Sequence, residues 1–260
     1  MNRLQSELIR LYLPLSQAGA ETDAQPSVLV DPSDRVRAMV MELKSPPGWD
    51  ALSKVWHGVQ SELELPAPAI AVSGIDGLQL WFSLAQPIAA TRAHAFLECL
   101  RRRFLADIDP GHVRLMPAAD ASSLRQNLHA ALVPALQEGT GNWSTFLAPD
   151  LVPVFADTPW LDIPPNEEGQ ASLLRGIAVM EQAAFETAFE KLVQSAQATP
   201  SNLAVAASVG ASLAPVRSEP ADVGANAKRF LLEVMNDTTV ALALRIEAAK
   251  ALLQHSERER

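Results

Sequence analysis

The chain holds one cysteine, Cys99, in 260 residues. That excludes a disulfide framework and any thiolate cage for a metal. Its five histidines, His57, His94, His112, His129 and His255, fall at no spacing that gathers metal ligands. No G-x-x-x-x-G-K-[ST] occurs, and no G-x-S-x-G, so nucleotide-cradling loops and serine hydrolases lack their motifs. The longest apolar stretches, such as Leu78 to Leu84, fall far short of the roughly 20 residues that span a bilayer, and no membrane partner is expected. The opening "MNRLQSELIRLYLPLSQAGA" has an apolar patch interrupted by Glu7 and Arg10. A secretory signal tolerates no such charges, so an amphipathic helix and a cytoplasmic location are expected.

A basic surplus is also missing. Lys and Arg total 21 against 30 Asp and Glu, for a net charge of −9, whereas proteins that live on duplex DNA carry a basic field. Nucleic-acid contact would need a local patch, and the best is Arg101 to Arg103. The plain alternative is a solvated helix end, where the macrodipole favours arginine.

What the chain does have is periodicity. Leu4, Leu8, Leu11 and Tyr12 recur at helical spacing, and "RVRAMVMEL" (35–43) alternates as a strand. From Trp49, the positions Leu52, Val55, Trp56, Val59 and Leu63 share a helix face. Two strands, "APAIAVS" and "LQLWFSL", flank the turn "GIDG", a hairpin signal with a glycine at each end; Pro87 is expected to stop the second. A helix with Ala93, Phe96, Leu97, Leu100 and Phe104 inward precedes a short strand, "HVRLM" (112–116). The order β, α, β, β, α, β predicts an α+β fold of the ferredoxin/RRM-like split β-α-β type, a sheet with two helices on one face and the other face open. From 119 to 170 the pattern loosens: "LHAALVPAL" suits a strand or a helix, 141–170, rich in proline and aromatics, reads as an ordered irregular segment, and 171–196 reads as one helix. Residues 1–195 thus form the α+β domain. An Ala/Ser/Pro-rich linker (196–226) follows, then a helical hairpin (227–260), too small to be stable alone and expected to dock or self-associate.

On this frame, "SGIDGLQLWFSL" followed by "QPI", a helix and "ADIDPGHVRLMP" resembles the archaeo-eukaryotic primase superfamily, especially the primase-polymerase modules of plasmids, phages and integrated elements. The resemblance covers about residues 35–120. Its members end the first strand in a D-x-D metal motif. Their hairpin has the form S-G-x-G-x-H, and a later strand reads R-h-L-R-L-P. Here Ser73, Gly74, Gly77, Leu78, Leu80 and Trp81 match the hairpin, and Arg114, Leu115 and Pro117 the later strand. The departures fall on the reactive groups. Glu42 and Lys44 stand where the metal motif belongs, and a lysine repels the Mg²⁺ or Mn²⁺ pair that phosphoryl transfer holds about 4 Å apart. Gln79 replaces a phosphate-contacting histidine and carries no charge. For the third carboxylate, Asp157 and Asp162 in "FADTPWLD" are equal candidates. The C-terminal "FLLEVMNDTTVALALRIEAAKALLQH" is similar to a helical segment of small-terminase-like prophage proteins.

The resemblance implies a catalytically degenerate primase-like protein of a mobile element. It would bind nucleotide or single-stranded nucleic acid on the open sheet face through Lys44, Ser73, Gln79, Trp81 and Arg114. No resident cofactor or metal is expected, with Mg²⁺ or Mn²⁺ needed only if Glu42, Asp157 or Asp162 retains activity. Each residue also has a structural role open to it. The glycines suit any tight turn, Glu42 suits a pair with Lys44, and Arg114 suits a carboxylate as well as a phosphate. Gln79 and Trp81 share a face that a helix could cover. An adaptor whose sheet face is occupied by protein is therefore the competing expectation.

Overall fold

Along the first strand, Met39, Met41 and Leu43 alternate with Ala38, Val40 and Glu42, and both sets are buried. A half-exposed sheet would bury one set only. A computed structural model, describing residues 2–14, 29–46, 48–118 and 129–205, shows what covers each side. Strand β1 (Arg35–Lys44) joins β2 (Ala69–Val72), β3 (Gly77–Ala89), β4 (Val113–Met116) and β5 (Thr145–Leu147) in one antiparallel sheet, ordered β4-β1-β3-β2-β5. Helix α2 (Trp49–Ser61) connects β1 to β2, and α3 (Ala90–Phe104) connects β3 to β4. The protein is a mixed α+β fold.

On the first face, Met39, Met41, Leu43, Leu78, Leu80 and Phe82 pack against α2, α3 and a long helix α5 (Gln182–Val205). Burial of this apolar set is the main stabilising term. The second face, expected to be open, is covered. Helix α1 (Arg3–Leu11) lays Leu4, Leu8, Leu11 and the following Tyr12 over Ala38, Val40 and Trp81. Helix α4 (Glu167–Arg175) adds Ala171 and Leu174, and Ala130 and Val133 of the irregular segment close the rest. The apolar stripe of an amphipathic helix must go somewhere, and here the bare sheet face takes it.

Helix α1 is fastened at both ends. At its start Asn2 and Gln5 exchange side chain-to-backbone hydrogen bonds of 2.8 and 3.2 Å, a reciprocal cap. At its end Arg37, 5 % exposed, donates to the carbonyls of Ile9, Arg10 and Leu13, and to that of Leu84 on β3. Burial lowers the Arg37 pKa, with the nearby Arg10 charge adding to the effect. The negative end of the α1 dipole is the compensation. Arg10 in turn reaches the carbonyls of Leu174 and Ile177 at the end of α4.

Three element boundaries differ from expectation. Strand β3 runs past Pro87 to Ala89: its pairing jumps from Ser83 opposite Ala38 to Ile88 opposite Val36. Residues 84–87 bulge out, so Pro87 has no ladder position to fill. The single helix expected over 171–196 is α4 and α5, divided where Met180 leaves the helical path to exchange backbone hydrogen bonds with Ser83 and Ala85. Helix α5 then continues to Val205, beyond the boundary at 195. The rest of the linker and the hairpin at 227–260 lie outside the described residues.

Candidate functional site

Strand pairing sets one row across the sheet: Arg114 on β4, Glu42 on β1, Gln79 on β3, Ala71 on β2 and Phe146 on β5. Four of the expected site residues converge in and beside this row. Gln79 Nε2 donates to Glu42 Oε2 at 2.6 Å, and Gln79 Oε1 accepts from Trp81 Nε1 at 2.8 Å. Arg114 Nη1 lies 3.5 Å from Glu42 Oε1. The result is a polar chain from solvent inward, Arg114–Glu42–Gln79–Trp81.

That convergence does not make a binding surface, because the expected open face is buried. Trp81, Glu42, Gln79 and Ser73 expose 0, 4, 6 and 7 % of their surface. Trp81 is enclosed by edge-on contacts with Tyr12 and Phe146, ring centroids 5.1 and 5.7 Å away, and offers no platform for a base. The Gln79 amide is held on both its oxygen and its nitrogen. A buried glutamine satisfying a carboxylate and an indole N–H is what a satisfied core requires. Of the polar chain, only Arg114, its side chain 57 % exposed, reaches outward.

Ser73 serves the turn. Its Oγ accepts from the backbone N–H groups of Ile75, Asp76 and Gly77 at 3.0 to 3.2 Å. The two glycines answer to close approach. Gly74 has φ of +80°, and a side chain there would meet the Ser144 backbone nitrogen at 2.8 Å. At Gly77 a Cβ would press on the Leu43 carbonyl at 3.0 Å and the Glu42 side chain at 3.1 Å. Lys44 pairs with Asp76 at 3.6 Å, not with Glu42.

Asp157 and Asp162 are both exposed. Among the described residues no group of three His, Cys, Asp or Glu is placed to hold a metal ion, so Glu42 and these aspartates form no two-metal site. The arginine cluster is paired within the chain: Arg101 and Arg102 share Glu98, and Arg103 bonds Glu62, so two carboxylates offset most of its charge. The Arg101 hydrogen bond, against a smaller opposing effect of burial, holds the Glu98 carboxyl down at about 2.

Tyr12, Phe146 and Gln170 shape this region without having been marked as candidates. Tyr12 carried a signal, since it extends the apolar stripe of an amphipathic helix. Gln170 carried none: its amide accepts from the Phe146 N–H at 2.8 Å and donates to the Phe146 carbonyl at 3.0 Å, a long-range pairing invisible to local pattern. No family model matches the chain, and no curated protein matches it.

Proposed function

We propose that this protein is a non-catalytic adaptor, built on a primase-like frame of the ferredoxin/RRM-like split β-α-β type, that works by holding other proteins. The order β4-β1-β3-β2, with helices after β1 and β3, supports the frame. Descent from the primase-polymerase proteins of mobile elements rests on the hairpin and on the Arg114 strand, and the fold alone carries no activity. The residues at 227–260 extend the same reading, their apolar positions suiting self-association.

One observation carries the proposal. Glu42, Gln79 and Trp81, the groups that would meet metal, phosphate and base, are buried and hydrogen-bonded in series, with Trp81 packed against Tyr12 at the end of α1. Phosphate recognition requires free donors and base stacking requires a free ring. The charge distribution agrees, since the arginines of α3 are occupied by glutamates and the chain is acidic.

The test is binding of labelled oligo-dT and of nucleoside triphosphate at low salt. No saturable association tighter than about 0.1 mM is expected, the weak end of non-specific binding. Salt-sensitive binding that is tighter than this and lost in Arg114→Ala would overturn the adaptor reading in favour of a nucleotide-binding one. Manganese-dependent incorporation abolished by Glu42→Ala would establish a residual nucleotidyltransferase instead.

A further inference from the structure

We infer that the surface made by residues 136–163 and the tip of the β2–β3 hairpin docks a basic amphipathic segment of a partner protein. This deepens the adaptor reading and rests on it. Three observations lead there.

The first is apolar exposure. Among the described residues, the exposed large hydrophobic side chains are Ile75, Leu136, Leu151, Val154 and Ile163. Four lie in 136–163, and the fifth, Ile75, follows Gly74, whose N–H donates to the Pro159 carbonyl of that stretch at 3.0 Å. Val154 and Ile163 expose 71 and 69 % of their surface. Scattered exposed leucines need no explanation, but confinement to one stretch and the turn bonded to it does.

The second is order. Trp143 and Leu161 exchange backbone hydrogen bonds of 2.7 and 3.0 Å, Ser144 donates to Ala135 at 2.9 Å, and Ser45 Oγ donates to the Ala156 carbonyl at 2.9 Å. The apolar groups stand on a stitched surface, so a partner would face little ordering entropy on this side.

The third is charge, and it selects the partner. Residues 126–174 contain no lysine or arginine. Glu138, Asp150, Asp157 and Asp162 are exposed there, and none takes part in an ion pair among the described residues. Elsewhere most basic side chains are matched with acids. Apart from the Lys44–Asp76 pair at the hairpin tip, the charged groups of this surface are acidic; with its apolar centres it disfavours phosphate backbones and anionic lipid, and a symmetric pairing of two copies would set carboxylate against carboxylate. A segment with lysine or arginine on one flank and leucine-type side chains on the other complements it.

A labelled amphipathic Leu/Lys helix and a Leu/Glu counterpart are the probes, titrated into the full chain by fluorescence anisotropy. The Leu/Lys peptide should bind and the Leu/Glu peptide should not. Val154→Ser with Ile163→Ser, both exposed and with an unchanged melting curve, should weaken binding by about tenfold or more. Asp157→Asn with Asp162→Asn should weaken it and flatten its salt dependence. Equal binding of the Leu/Lys peptide to the serine variant, equal binding of the two peptides, or no binding at low salt would each overturn this surface. None of those results touches the nucleotide experiment, whose failure would remove the adaptor reading itself.

Discussion

Tyr12 carries the one buried side-chain oxygen that finds no hydrogen-bond partner among the described residues. Its ring is well used, stacked on Phe146 at 6.0 Å and edge-on to Trp81, while the hydroxyl is desolvated without return, and burial drives its pKa upward. Removing the oxygen keeps the packing and relieves that penalty. Tyr12→Phe should therefore raise stability by about 1 kcal/mol, read as a higher urea midpoint at unchanged slope. Gln79 is the opposite case. Gln79→Leu would strand the Trp81 N–H and Oε2 of Glu42, whose other oxygen keeps Arg114, two buried polar atoms at about 1–3 kcal/mol each. A loss of about 2–4 kcal/mol is expected in the same assay, and a loss under about 1 kcal/mol would mean the polar chain does not stabilise the fold.

At the scale of elements, Gln170 does for β5 what a further strand would do. Strand β5 is the last in the order, and the side-chain amide takes both the N–H and the carbonyl of Phe146. An unsealed edge is a template for pairing with another chain. Gln170→Leu should speed amide exchange at Phe146, lower stability by about 2 kcal/mol and promote concentration-dependent association, measured by sedimentation velocity. This element also marks where sequence reading stops. The strands and helices from Arg35 to Met116 were legible because apolar side chains recur along them at strand or helix spacing, and Leu78 and Leu80 do lie opposite Trp81 as alternation requires. β5 spans three residues, "TFL", too few to show a period, and it exists through its pairing with β2 and the Gln170 clasp. The break between α4 and α5 was hidden because Met180 is buried, as an unbroken apolar stripe would also require. Strand register brings Glu42, Gln79, Trp81 and Arg114 together, while Lys44 turns to Asp76 and Ser73 to its own turn. The burial of that group was not legible, because periodicity shows that α1 has an apolar face but not what that face will cover.

For the molecule as a whole, the salt bridges bear on pH more than on static stability, since surface pairs contribute little at neutral pH. Glu98 is the group to follow. Its folded pKa is depressed to about 2, first by the Arg101 hydrogen bond and then by Arg102. A depressed carboxyl contributes stability that is present above the unfolded value and lost as pH falls through the folded one. The loss should fall between about pH 4.5 and 2. In Glu98→Gln the acid limb of the stability curve should flatten over that window, with less change above pH about 5.

The clasp of Arg37 on the end of α1 also limits how the protein can be cut. Three of the carbonyls that accept its hydrogen bonds belong to residues 9, 10 and 13. Trimming the chain back to β1 would leave an interior cation with the Leu84 carbonyl alone of its four acceptors and would wet the aromatic trio of which Tyr12 is a member. Such a fragment should be recovered as an aggregate, because the sheet face of Ala38, Val40 and Trp81 would lose its cover.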